Sequence, residues 1–393
     1  MLLNSNESIH FSEEQSMLLD SAKEFCKDKS SISVVRELLD SETGFKPDVW
    51  QDLVALGWMA VAIPEQFGGS ALTIGAVVPI VESMGRTLLS TPFISSSVAA
   101  QAIIRGGSRQ QKERYLPSIA EGEVATIALL ENEDWGDDEV NLNAVLVDGD
   151  DDQLLLQGVK NQVQDAAVAG LFIVSATVEN DKKLNIVPAS SLKPGAIKAQ
   201  KLIDESKRCS VVDFSGARVS ASHVLPGDYN ALVRDIKLIA AMLLAAEAVG
   251  SAAACLDLIV EYLKTRKQFG KVIGSYQALK HPTVDILCDM DSAKSFVYHA
   301  ATVVGDEPLN SDAEVACRMA KAQASEALLF AGDRAVQFYG GMGFTYECDA
   351  QLYVRRAQWV QQAYGDASHH RKRLAGLLLE CGLSFGGFSG QRC

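Results

Sequence analysis

Apolar positions along the chain change period twice. From about residue 12 to 122 they recur at helical spacing, as through Val77, Ile80, Val81, Met84 and Leu88 and again from Val98 to Ile104. Ser12-Glu13-Glu14 marks the first helix start, a Ser N-cap ahead of an acidic first turn. Gly57-Trp58 to Gly68-Gly69 is a turn-rich connector within this region. From about 123 to 228 the runs are short and apolar or alternating: Ala125 to Leu130, Ala144 to Val147, Gln153 to Val159, Leu171 to Thr177, Leu184 to Pro188 and Ser210 to Phe214. Separated by Asp, Asn, Gly and Pro clusters, they predict strands. Beyond about 231 the helical period returns through Val233 to Leu263, Gln277 to Val304, Ser311 to Tyr339 and Ala350 to Tyr364, with a last helix after Ser368. Glu307-Pro308 and Gly340 to Gly343 supply breaks. Four long helices with short connections predict a bundle, so the chain divides as helical 1–122, β 123–230 and helical 231–393.

From Leu238 to Leu256 the only charged side chain is Glu247. Nineteen largely apolar residues are long enough to span a bilayer. The segment is nonetheless rich in Ala, Gly and Ser, with a carboxylate at its middle, so a helix buried among helices is the better reading. A carboxylate there has to be paired or titrate high, and a raised pKa suits a base working near neutral pH. Glu247 is therefore both a candidate catalytic base and a candidate for pairing with an Arg or a backbone group between packed helices.

The chain has 393 residues, 48% hydrophobic and 22% charged, the balance of a folded protein of two or three domains. A net charge of −14 argues against nucleic acid and anionic membrane surfaces as partners. Eight cysteines without a Cys-x-x-Cys pair fit reduced, mostly buried thiols in a cytoplasmic protein. The first residues lack a basic stretch followed by an apolar run, so no secretory signal is expected. The histidines show no ligand spacing, and no metal is expected.

Candidate chemistry concentrates in Arg266-Lys267-Gln268-Phe269-Gly270, then Gln277, then Gln337-Phe338-Tyr339-Gly340-Gly341-Met342-Gly343-Phe344. An arginine at a helix end offers a planar fork for a pyrophosphate, and glycines let backbone N–H groups approach phosphate or ribose. Glutamines supply donors and acceptors for a dinucleotide's polar edges.

At these residues, in this order and at this separation, the chain resembles the acyl-CoA dehydrogenase family. The resemblance implies an α+β architecture: an N-terminal helical domain, a small middle β-domain and a C-terminal four-helix bundle. It also implies FAD as cofactor, held in part by Arg266, Phe269, Gln277, Gln337, Gly340 and Gly341, which in tetrameric relatives reach a neighbouring subunit's flavin. The implied reaction is α,β-dehydrogenation of an acyl-CoA: a carboxylate takes the α-proton, a β-hydride passes to flavin N5, and electrons go on to a separate acceptor such as an electron-transfer flavoprotein.

The family's pattern is broken at the base. Most members carry Glu in a Tyr-Glu-Gly-Thr-like stretch, which falls here on Tyr364-Gly365-Asp366-Ala367 and leaves Gly365 at the glutamate's position. Asp366, one residue on, is a candidate base or the cap of the next helix. Other branches place the glutamate at a position matching about Ala240, two turns or roughly 10 Å from Glu247. The flavin-contacting Thr of a Thr-Glu-Pro-x-x-Gly-Ser-Asp loop falls on Leu130, with Glu133 and Asp134 adding negative charge. The Trp that follows Gly158-x-Lys160 in relatives falls on Gln162, so an aromatic wall is lost unless Trp135 replaces it. Two functions follow as expectations: an active dehydrogenase using Glu247 or Asp366, or a silent subunit completing the flavin site of a paralogue in a homo- or hetero-oligomeric assembly.

Other residues have blander roles in prospect. His369 to Arg373 form a basic patch that meets a nucleotide or faces solvent. His281 is expected to pack, and Arg355 and Arg356 either hold the bundle through acidic neighbours such as Asp349 or contact a phosphate. Small residues at Ala240, Ala241, Ala245 and Ala246 hint at a roomy acyl pocket.

Overall fold

The computed structural model describes residues 13–380 apart from 133, 137–138, 148–149 and 306–307. The anticipated Ser12 cap and residues Glu133 and Glu307 lie outside the described residues. Six helices come first: α1 (Glu13–Lys29), α2 (Ile32–Leu38), α3 (Pro47–Ala55), α4 (Val78–Thr87), α5 (Phe93–Gly106) and α6 (Arg109–Ala120). The connector between α3 and α4 turns on Gly57 and Gly68, both left-handed at φ 75 and 86. A capping box starts α6, where the Ser108 hydroxyl accepts from Gln111 N and Gln111 Oε1 accepts from Ser108 N.

Nine strands follow: β1 (Ala125–Ala128), β2 (Asn143–Val147), β3 (Asp150–Gln157), β4 (Val159–Gln164), β5 (Leu171–Val178), β6 (Asp181–Pro188), β7 (Ile197–Gln200), β8 (Cys209–Asp213) and β9 (Arg218–Ser220). One sheet runs β1-β5-β2-β3-β9 with β6 also on β5, and a second runs β4-β8-β7. The continuous run anticipated from Gln153 to Val159 is two strands in different sheets. Gly158, at φ 145, bends the chain between them, and a side chain there would meet Leu142. β7 and β9 escape the hydrophobic pattern because they are short and β7 is largely exposed.

The remaining helices are α7 (Tyr229–Thr265), α8 (Gln277–Val303), α9 (Ser311–Tyr339), α10 (Ala350–Gln362) and α11 (Ala367–Glu380), with a hairpin of β10 (Lys267–Gln268) and β11 (Lys271–Val272) between α7 and α8. α7 packs against α8, α9 and α10, and short connections make consecutive helices alternate in direction. α7 is long and apolar enough to cross a membrane, yet 89% of its most apolar window is buried inside the protein. Its small residues have a packing role. A Cβ on Gly250 would lie 1.9 Å from Glu82 O, and one on Gly85 of α4 would lie 2.1 Å from Glu247 O. The two glycines thus let α4 and α7 cross at backbone contact, and Ser251 Oγ adds a bond to Gly85 O at 2.8 Å. Ala240, Ala241, Ala245 and Ala246 are fully buried in this packing. Five of the six described cysteines are buried and all six are free.

Candidate functional site

Arg266 leaves the last turn of α7 and enters the β10–β11 hairpin. Gln268 pairs with Lys271, so Phe269 and Gly270 form a two-residue turn with φ values of 52 and 77. A left-handed Phe costs about 1–2 kcal/mol, and its ring is 91% exposed. A large apolar side chain held outward at that cost marks a contact made outside this chain. Arg266 is exposed, and among the described residues nothing pairs with its guanidinium.

Tyr262 and Tyr339 stack at 4.0 Å and bring the ends of α7 and α9 together. There Gln337 is exposed, Gly340 adopts φ 62 as the helix stop, and the space around Gly340 and Gly341 is open. Gln277, exposed at the start of α8, shares a hydrogen bond with His281, which is therefore exposed and not packed as anticipated. An unpaired arginine, bare glycine backbone and two exposed amides fit the pyrophosphate and ribose portion of FAD.

At the other end of the bundle lies a cleft of about 890 Å³. It is walled by the first turns of α7 and α9, by α11 and by the loop carrying Asp134, Trp135 and Gly136. From Lys237 in its wall to Arg266, the rise of α7 is roughly 44 Å. The arginine-and-glycine surface and the cleft therefore lie toward opposite ends of this helix. The basic patch divides by position. Lys372 and Arg373 face the cleft, exposed and with no partner among the described residues; Arg371 pairs with Glu326; His370 is buried and donates from Nε2 to Tyr364 O at 3.1 Å. Burial, followed by the Lys321 and Arg318 charges, pushes His370 down to about 3 and keeps it neutral.

Neither candidate carboxylate lines the cleft. Glu247 Oε1 accepts from Lys207 Nζ at 2.6 Å and from Arg356 Nη1 at 2.8 Å. Arg356, wholly buried, also binds Asp204 through Nε and Ser206 Oγ through Nη2 at 2.7 Å. Burial works to raise Asp204, but the Arg356 and Lys207 charges and the Ser206 hydrogen bond hold its carboxyl below the usual range. Arg356 thus pairs with Asp204 and Glu247 while Arg355 takes Glu205; the anticipated neighbour Asp349 belongs to Arg36. Asp366 Oδ1 accepts from His369 N at 2.6 Å, capping α11. Of the carboxylates that do line the cleft, Glu314 is bound by Arg318 and Asp134 accepts from Gly136 N in its own loop.

Gly365 has φ 97, and a Cβ there would lie 2.7 Å from His369 Cδ2. A side chain at this position, which the family resemblance matches to the glutamate, would be strained by the left-handed backbone and would require the His369 ring to shift. Lys321, fully buried, fixes the same turn by donating to Gly365 O at 2.9 Å and Val360 O at 2.8 Å. Burial lowers its pKa to about 7.

The middle-domain loop is organised by its own ion pair. Glu131 accepts from Asn141 N, Leu142 N and the wholly buried Lys160, which also reaches Ser175 Oγ. This gives the Gly158-x-Lys160 signature a structural role. Leu130 is buried, and Gln162, at φ 50, is anchored through its N–H to Gln200. Trp135, anticipated as a replacement for the lost aromatic wall, lies on Tyr364 with ring centroids 4.1 Å apart. Behind Tyr364, Asp165 accepts from Ser95 Oγ at 2.6 Å and is pushed up to about 6, first by burial. The roles of Asp165, Lys207, Asp204 and Lys321 were missed in the sequence because their partners are distant along the chain.

A cleft edged with free cations at one end of a bundle, and an open cradle for a dinucleotide at the other, suit a flavin-dependent oxidoreductase that takes an anionic thioester. The sequence matches the acyl-CoA dehydrogenase N-terminal domain over residues 12–123 and the acyl-CoA dehydrogenase C-terminal domain over 239–379. It is 28% identical to the acyl-CoA dehydrogenase IpdE2 of Mycolicibacterium smegmatis over 92% of this chain and 98% of that protein. Among solved structures, a variant of the Tcur3481-Tcur3483 steroid ACAD superposes with a TM-score of 0.82 at 27% identity, covering 95% of this chain and 99% of that one. Butyryl-CoA dehydrogenase of Megasphaera elsdenii shares the fold, with a TM-score of 0.85 at 22% identity over 94% and 99% of the two chains. The chain belongs to the acyl-CoA dehydrogenase family, FAD-dependent oxidoreductases acting on the CH–CH group of donors.

Proposed function

We propose that this chain is the subunit of a hetero-oligomeric acyl-CoA dehydrogenase that contributes flavin-binding elements to a neighbour, while a paralogous subunit supplies the general base. The observation that carries the proposal is Gly365, which has no carboxylate where the family resemblance expects the base and whose left-handed backbone disfavours any side chain there. Glu247 and Asp366 do not replace it, because the first is held between Lys207 and Arg356 and the second caps α11. The solved relative at 27% identity, the Tcur3481-Tcur3483 steroid ACAD, carries a double name, in keeping with an assembly of two kinds of subunit.

In this assembly Arg266 binds the FAD pyrophosphate, the backbone at Gly340 and Gly341 approaches it closely, Gln277 and Gln337 bond its polar edges, and Phe269 packs across the subunit boundary. FAD, when bound, supplies the hydride acceptor, and a separate acceptor such as an electron-transfer flavoprotein takes the electrons on. The substrate is an acyl-CoA whose α-proton goes to the partner's carboxylate.

The visible spectrum of the protein purified alone tests this. Well below one FAD per chain and no dye reduction with acyl-CoAs are expected, with both gained on co-expression with a paralogue. One FAD per chain and turnover alone would refute it. That outcome would favour the active-enzyme alternative, whose one supporting observation is that Glu247 Oε2 is buried without a hydrogen-bond partner among the described residues.

A further inference from the structure

Trp135 and Tyr364 meet at the inner end of the 890 Å³ cleft, one from the middle-domain loop and one from the turn between α10 and α11. Their centroids are 4.1 Å apart with planes inclined by 34°, and both residues are more than nine-tenths buried. The loop is held down from the other wall by Lys237, which donates to Trp135 O at 3.3 Å. The turn is held from beneath by Lys321 on Gly365 O and by His370 on Tyr364 O. Both halves of the stack are thus fixed by their own buried or cleft-lining cations and imidazole, so the contact is built into the fold.

Two further observations place this stack in a ligand's path. Trp135 Nε1 is buried with no hydrogen-bond partner among the described residues, although its ring lines the cavity. Tyr364 is buried with Asp165 and Cys209 near it, so the pair belongs to the buried wall of the cleft and not to its exposed mouth. The outer cleft carries Lys372 and Arg373 with no partner among the described residues, which suits the phosphates of a CoA ester at the mouth and leaves its acyl arm directed at the rings.

We propose that Trp135 is a plug that sets the depth of this cleft, admitting the phosphate-bearing arm of a CoA ester and stopping the acyl arm at the Trp135–Tyr364 stack. The inference rests on the reading of the cleft as a CoA-ester site. It deepens that reading by naming the residue that excludes the acyl group.

Equilibrium binding of free CoA, butyryl-CoA and octanoyl-CoA to the full-length chain tests it, followed by tryptophan fluorescence or calorimetry. In the wild type the three ligands are expected to bind within about twofold of one another. In Trp135→Ala each methylene that enters the opened passage adds up to about fourfold, so octanoyl-CoA is expected to bind at least tenfold tighter than free CoA. Trp135→Phe keeps a ring on Tyr364 and should behave as the wild type, which controls for loss of the loop's fold. No binding of free CoA to the wild type would overturn the CoA-ester reading of the cleft, and the plug with it. CoA binding with the same dependence on acyl length in wild type and Trp135→Ala would overturn the plug alone. A wild type that already gains affinity steeply from butyryl- to octanoyl-CoA would do the same.

Discussion

Replacing Glu247 by Gln removes one negative charge from a buried group of four: Glu247 and Asp204 against Arg356 and Lys207. The wild-type cluster is neutral overall. The amide leaves one uncompensated positive charge, chiefly on the largely buried Lys207, whose carboxylate it removes, while Arg356 keeps Asp204. Breaking a buried pair from one side costs about 3–5 kcal/mol. With roughly 2.1 cal/mol/K of unfolding entropy per residue, a chain of this length has about 0.8 kcal/mol/K, so the melting midpoint should fall by about 4–6 °C. Circular dichroism at 222 nm on the isolated chain measures it. Glu247→Leu with Arg356→Met removes one charge of each sign, leaving Lys207 for Asp204. It should cost less than the sum of the two single changes, by about 0.5–3 kcal/mol. A Glu247→Gln protein that melts with the wild type while the assembled enzyme loses turnover by orders of magnitude would refute the pairing role. Glu247 would then be a base whose cationic neighbours serve to position it.

Asp165 is raised to about 6 mainly by burial, so its contribution to stability is present below about 3.8 and is lost as pH rises through about 6. Asp165→Asn should therefore melt higher than the wild type at pH 7 to 8, by an amount that shrinks to nothing near pH 4; an advantage independent of pH would exclude this cause. His370 runs the other way. Its pKa is lowered to about 3 from the ordinary imidazole value of 6.5, so the stability it confers is lost as pH falls through that window, and His370→Gln should flatten the acid limb of a pH–midpoint curve. Gly365→Glu should restore no activity and should destabilise the chain by at least about 1–3 kcal/mol, from the left-handed backbone and the contact with His369, as a urea titration would show. Arg266→Ala should leave the melting midpoint of the isolated chain within about 1 °C, because the side chain is exposed and unpaired among the described residues, yet lower the FAD content of the assembled enzyme.

The architecture was legible in the chain because its three parts differ in period. Helical spacing in Val233 to Leu263 and in Ser311 to Tyr339 became α7 and α9 with ends displaced by only a few residues. The runs around Leu171 and Leu184 became neighbouring strands. The family and its flavin were legible for a related reason. Arg266-x-x-Phe-Gly is a local hairpin whose φ values are set within a few residues, and Gly340-Gly341 ends a helix by its own backbone freedom.

Tertiary structure decided what each charged group does. Glu247 was conspicuous in the sequence, but whether it served as base or partner depended on Arg356 and Lys207, 109 and 40 residues away, which only packing brings to it. Gly365 was visible as a missing glutamate, but only the fold shows that His369 occupies the space a side chain would need. Trp135 was visible as an extra aromatic, and only its contact with Tyr364 makes it a wall. Periodicity and turn chemistry act over a few residues and are written locally. Desolvation, ion pairing and closure of a cavity depend on groups from different elements, so they are settled only when the elements pack.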